Sequence, residues 1–430
     1  MRGARIPNRV LPRHLALPGV TGRLRRPASG LTAFSAVLAM SLTAGPATNA
    51  VPADPCALPR TAVHHSLGVD EWNTAYPRPT RTLDAVMVFL SFPDSEPRVD
   101  AAELAADYFP AGSRFFERAS YGRFTLRPHP VKRWIEMPAA SRDYGIQRDW
   151  DGERRAAYLR DAVQSADPVV DFSRYDIVYL VADPDAPGVD SDATKVVNLE
   201  LPIEADGSSI RRVVTLFERH PPDRHVLAHE TGHLFDLPDL YHRPEKRSAE
   251  WDAHVGDWDV MGSQFGLAPD LFGWHKWKLG WLDRRHVACV RDPGTSRHLL
   301  YPLEVPLRPR ERDGTGRRPA DTRLLVAPLS TREALVAEFR GPYGNDVDLC
   351  TSGLLLYRVR SDVASAEGPV RVVDTHPETA RCRDRSVNPA LADAPLAEGE
   401  SHTVAAGGGV RFQVGHRLPS GALPVTVTRG

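Results

Sequence analysis

One stretch, HETGHLFDLPDLY at residues 229–241, constrains this chain more than any other. Two histidines four positions apart face the same way on a helix, and Pro238 forbids that helix from running on. Pro221-Pro222-Asp223 supplies a start, so the pattern predicts a helix capped by Asp223 and ending near Phe235. On such a helix the imidazoles of His229 and His233 reach one tetrahedral ion. Glu230, beside the first, is placed to take a proton from water. His225 stands eight residues from His233, roughly 12 Å of helix rise, and cannot share that ion. It reads as a partly exposed residue of the first turn.

Catalytic zinc takes three protein ligands and keeps one position open. Asp236 and Asp239 compete for the third place. If the chain turns sharply after Phe235, Asp239 falls where the extended motif HExxHxxGxx(H/D) has its last ligand, and Asp236 falls where that motif has glycine. Glycine permits the left-handed backbone that swings the ligand back to the metal, whereas aspartate adopts it at a cost. Alternatively Asp236, on the face of the histidines, itself contacts the metal or a ligand imidazole. Glu245 or Glu250 would serve if a second helix supplied the ligand, but RPEKRSAEWD reads as loop. Motif position therefore favours His229, His233 and Asp239 as the metal set and Glu230 as the general base.

The N-terminus sets the compartment. Arg23, Arg25 and Arg26 precede the apolar run LTAFSAVLAMSLTAG, and small residues follow, which is the order of an export signal. Residues 1–50 are expected to be a removed signal peptide, cleaved after Ala50 or Ala53, because the run is short for a membrane span. A secreted, extracellular chain with no stable membrane insertion follows. Cys56, Cys289, Cys350 and Cys382 all lie beyond the cleavage site, an even set suited to disulfides, with Cys350 and Cys382 the expected pair. Their spacing contains no CxxC, which disfavours cysteine-bound zinc. Lys and Arg number 54 against 55 Asp and Glu, so at a net charge of -1 the chain has no electrostatic hold on nucleic acid.

At 430 residues there is room for two domains. Residues 51–79 read as a Pro-rich extended lead, with folded structure starting near residue 80. DAVMVFLSF is a buried strand, AAELAADYFPAGSRFFERASYG a helix stopped by Gly122, and RFTLRPHPVKRWIEM an alternating strand. DGERRAAYLRDAVQSADP is a second amphipathic helix and YDIVYLVADP a second buried strand. Residues 80–282 thus read as an α/β (α+β) domain with the histidine helix at its far end. The Arg-rich stretch 307–323 reads as exposed loop. LLVAPL, EALVAEFR, GLLLYRVR, VRVVD, GVRFQVGH and LPVTVTR are short and separated by turn residues, predicting a β-sandwich-like C-terminal domain over 283–430.

Met261, within DWDVMGSQFGLAPDLFGWHKWKLGWL at 257–282, reads on its own as ordinary core. Together with HETGHLFDLPDLY, FFERASYGRFTL, DFSRYDIVYLV and GLLLYRVR, that stretch resembles the immune inhibitor A family of secreted bacterial zinc metallopeptidases, in order from about residue 80 to 375. The resemblance implies a metzincin-like zinc peptidase domain with Met261 in a turn beneath the metal. It also implies an endopeptidase acting on protein or peptide substrates, with His229 and His233 as Zn2+ ligands and Glu230 as general base. Tyr241 matches a tyrosine near the family's LPD and either donates to the developing oxyanion or packs under the helix. Members are often stabilised by Ca2+, which draws attention to the four carboxylates of DPDAPGVDSD at 183–192; that spacing is no EF-hand, and a solvated acidic loop is the plainer reading. Two rival functions stay open. One is a secreted binding protein whose peptidase-like site is damaged at Asp236, and the other a zinc hydrolase of non-peptide amides.

Overall fold

In the computed structural model, described residues run from 54 to 430, without 55, 64–66, 224, 244–249, 268–269 and 309–320. The expected signal peptide, Glu245 and most of the Arg-rich stretch lie outside them. The N-terminal part of the fold contains β1 (Thr82–Ser91), α1 (Ala101–Tyr108), α2 (Ala111–Ala119), β2 (Thr125–Glu136), α3 (Ser141–Tyr144) and α4 (Gly152–Ala166). It continues through β3 (Ile177–Ala182), β4 (Lys195–Ala205), β5 (Ser208–Leu216), α5 (Val226–Leu234) and α6 (Gly273–Lys278). The single helix expected over 101–122 is two, because Pro110 has no N–H to carry α1 onward. At α4 the Asp151 carboxylate accepts the Glu153 and Arg154 N–H groups, a side-chain cap.

The first sheet has the order β2-β1-β3-β5-β4. Its strands run parallel except β4, which pairs antiparallel with β5 and forms an edge. Asp206 and Gly207 join these two strands with φ of 51° and 74°, a two-residue turn of the kind that suits Asp-Gly. The unbroken apolar run of β1 has a simple cause: both faces are covered. Leu83, Ala85, Met87 and Phe89 enter one core with side chains of α1, α2 and α5. Val86, Val88 and Leu90 enter another with Tyr158, Leu159 and Val163 of α4.

The C-terminal part adds β6 (Val287–Cys289), β7 (Gly294–Leu300), β8 (Leu324–Pro328), β9 (Glu333–Arg340) and β10 (Gly353–Arg360). β11 (Val370–Val372), β12 (Ser401–Val404), β13 (Val410–Val414) and β14 (Leu423–Arg429) complete it. Two sheets result, ordered β11-β10-β9-β8-β6 and β12-β13-β14-β7. Leu325, Leu335 and Leu356 of the former share a core with Val410, Phe412 and Val427 of the latter. On its opposite face, Val326, Val336 and Tyr357 belong to the same core as Leu83 and Phe116. Side chains from before and after residue 283 thus share one core, and the fold is mixed α/β with several sheets and few helices.

Folded structure also begins before residue 80, against expectation. Cys56, Leu58 and Val69 are buried in the main core, and the Trp274 and Trp281 indole N–H groups donate to the carbonyls of Val69 and Pro79. Composition made the segment look like a linker, whereas long-range indole donors hold it down. Cys56 is bonded to Cys289, and Cys350 to Cys382. No described helix is long and apolar enough to cross a membrane.

Candidate metal centre

Helix α5 is buried along all nine of its residues, so its polar side chains must find partners inside the protein. Its start differs from expectation. Asp223 accepts the Val226 N–H through its main-chain carbonyl, while its carboxylate takes Gln264 Nε2 at 3.3 Å. The end follows a reversal in which Asp236 N–H donates to His233 O and Leu237 N–H to Gly232 O, with Asp236 at φ 63°. These two bonds with a left-handed residue between them form a Schellman motif, usually completed by glycine. Aspartate is tolerated here because its carboxylate has its own anchors: Lys278 Nζ at 2.9 Å and the Asn73 N–H at 3.2 Å. Burial pushes the Asp236 carboxyl up to about 6, with Lys278 opposing.

That turn points Asp236 away from the histidines and brings Asp239 to them. Asp239 Oδ1 lies 3.4 Å from His229 Nε2 and 3.1 Å from His233 Nε2. Each ring's other nitrogen faces a main-chain carbonyl, His229 Nδ1 to Val260 O at 2.9 Å and His233 Nδ1 to Leu237 O at 2.8 Å. A carbonyl only accepts, so both Nδ1 atoms carry hydrogen and both Nε2 atoms are left toward Asp239. Neutral rings would turn lone pairs on a carboxylate oxygen for which no aligned donor exists. Such a cluster calls for a proton or a cation at its centre. Burial lowers the His233 imidazole, but Asp239 overrides it and pushes it up to about 9. Burial likewise raises Asp239, yet His233 and His229 hold it well below the usual carboxylate range. The three ligand atoms lie within 4.8 Å of one another, and two imidazole nitrogens with one carboxylate oxygen are a donor set that fits zinc. Glu250 is exposed and stands outside the group.

A cavity of about 290 Å³ opens over this cluster, walled by Val196 and Asn198 of the β4 edge and by Tyr241. Glu230 faces it, with Oε2 buried and without a hydrogen-bond partner. Burial raises the Glu230 carboxyl, against the pull of His229 and His233. The Tyr241 ring stacks on His229 at 6.3 Å and 20°, and burial raises its phenol, which keeps its proton. Met261 lies beneath the helix: a Cβ on Gly232 would stand 2.4 Å from its Sδ, so only glycine admits this approach.

Several contributors escaped the reading of the residues alone. Ser365, between β10 and β11, accepts the Asp239 N–H at 2.9 Å and reaches Asp239 Oδ2 with its hydroxyl at 3.4 Å. Ala366 N–H donates to Asp239 O and Arg243 N–H to Ala366 O, so the third histidine partner is held by chain far away in sequence. Nothing in DVASAEG marks this. The β4 wall did carry a signal, the Asp206-Gly207 turn between two alternating runs. In the acidic loop, Asp183 takes Ser95 Oγ and the Asp185 N–H, and the four carboxylates do not converge; among the described residues only His229, His233 and Asp239 do. Set against known proteins, the chain matches no family model and no curated protein.

Proposed function

We propose that this chain is a secreted zinc metallopeptidase similar to the immune inhibitor A family, with a metzincin-like catalytic part and a β-sandwich-like C-terminal part. The observation that carries the reading is the meeting of His229 Nε2, His233 Nε2 and Asp239 Oδ1 in a pocket that also holds the Glu230 carboxylate, whose Oε2 has no hydrogen-bond partner. A Zn2+ ion bound there would supply the Lewis acidity that makes water acidic and polarises a carbonyl. The protein's own groups do the rest. Val260 and Leu237 carbonyls orient the two imidazoles. Glu230, raised by burial, takes a proton from the attacking water and passes it to the leaving amine. Tyr241, still protonated, is available as a donor to the developing oxyanion. The position of β4 as an edge strand beside the pocket favours a peptide over a smaller amide, because an extended chain can lie along it.

Metal analysis of the purified mature protein, with casein and a broad peptide mixture as substrates, tests this. We expect one zinc per chain and cleavage that chelation abolishes and zinc restores. Zinc at full stoichiometry with no peptide cut would sink the peptidase and leave the binding-protein reading standing.

A further inference from the structure

We infer that the mouth of the metal pocket selects substrates bearing a carboxylate next to the bond attacked, an inference that rests on the peptidase reading. Arg148, Lys195 and Arg243 line this pocket, and the carboxylates among its walls are Glu230, Asp239 and Asp192. Glu230 and Asp239 are committed, one to proton transfer and one to the metal, and together they offset the charge of a divalent ion. What faces an incoming substrate is therefore three cations against Asp192 alone. Among the described residues none of the three cations forms an ion pair; Lys195 Nζ donates only to the main-chain carbonyl of Arg148, at 2.6 Å.

The cations also crowd one another. Burial lowers the Lys195 ammonium and Arg155 and Arg243 add to it, with Asp149 and Glu230 opposing. Cations in excess of the carboxylates around them are relieved by an anion from the substrate. Lys195 sits on β4 itself, one residue before Val196 of the pocket wall, so a peptide laid along that edge passes within reach of it. The neighbouring groove between α4 and β4 shares Asn198 with the pocket, but its Arg155 and Arg160 are matched by Glu200 and Glu204. The preference thus belongs to the mouth and not to the groove.

A carboxylate can come from an Asp or Glu side chain within the substrate or from the end of its chain. Three probes separate these: an end-blocked decapeptide with one central Glu, its Gln counterpart, and the Gln peptide left with a free C-terminal carboxylate. Binding is measured on the full zinc-loaded chain carrying Glu230→Gln, where turnover does not interfere. One of the carboxylate peptides should bind about five- to tenfold more tightly than blocked Gln, as one or two charge-assisted contacts would give. Which one binds better assigns the source. The preference should shrink in high salt, and Lys195→Gln with Arg243→Gln should remove it while leaving the Gln peptide unchanged. Equal affinity for all three probes, or binding of none, overturns the inference. Cleavage of the same peptides by the unaltered protein is scored separately: a binding preference without cleavage removes the peptidase reading and leaves the carboxylate site in place.

Discussion

Two of the buried charge clusters in this fold are built on opposite plans. Around Arg340 the chain supplies both signs: its guanidinium reaches Glu304 and Glu338 at 3.0 Å and Asp346 at 2.6 Å, all fully buried. Lys276 adds a 2.8 Å contact to Asp270, and the Tyr357 hydroxyl donates to Glu338. Burial and Asp346 push the Glu304 carboxyl well above the usual carboxylate range, with Arg340 and Lys276 opposing. Around His233 the chain supplies acceptors that face one another. The lesson concerns where the positive charge comes from: the first cluster carries its own cations and serves as framework, whereas the second calls for a proton or a cation at its centre. The two are also joined. Arg340 Nη1 donates to Trp258 O, two residues from the Val260 carbonyl that orients His229.

The strongest test of the contrast is Glu230→Gln. It should lower kcat/KM by about 10²- to 10⁴-fold, the scale of a lost general base, while zinc content stays unchanged. Next comes Arg340→Met, which strands buried carboxylates and should cost about 3–5 kcal/mol in denaturant unfolding. If that variant unfolded at the wild-type denaturant concentration, the framework half of the comparison would be broken. His233→Ala serves as its counterpart, expected to lose the zinc yet keep most of the stability seen in chelator. Smaller again, Ser365→Ala should weaken zinc binding by about 10- to 100-fold, the range for groups that orient a ligand, read by competition with a chromogenic chelator.

The smallest effect concerns a third pair, the His242 and His254 rings 4.8 Å apart. Burial pushes His254 down to about 4, and Arg371 and His242 add to it. A folded value below the ordinary 6.5 means that the neutral ring is favoured in the native state, so its contribution is present above pH 6.5 and is lost as pH falls toward 4. His254→Gln should flatten the stability curve in that window, and an unchanged acid limb in thermal unfolding would argue against it. The effect is small because the ring is only partly buried.

How much of this was legible depends on range. Helical spacing placed His229 and His233 on one face, and motif position pointed to Asp239, because both are local properties of the chain. Asp236 could be read as damage only while Lys278 and Asn73 were unseen, since its partners arrive from 42 and 163 residues away. Pro110 splitting a helix was local and readable, yet the amphipathic pattern on either side hid it. The burial of Val69 and Leu58 was not readable, because a Pro-rich segment shows no periodicity and is held by tryptophans from α6 and just beyond. The core shared by residues before and after 283 was hidden for a related reason: a sheet apolar on both faces serves two neighbours at once, and strand pattern does not say which.

The bond between Cys56 and Cys289 joins positions 233 residues apart and so turns the part of the chain that carries His229, His233 and Asp239 into a closed ring, with most of the β-rich strands as its tail. A ring cut once becomes a line without losing a piece. Any single nick between those cysteines would leave a single species under oxidising conditions and two fragments only after reduction. Electrophoresis with and without a thiol thus reports on the history of a molecule as well as its covalent topology.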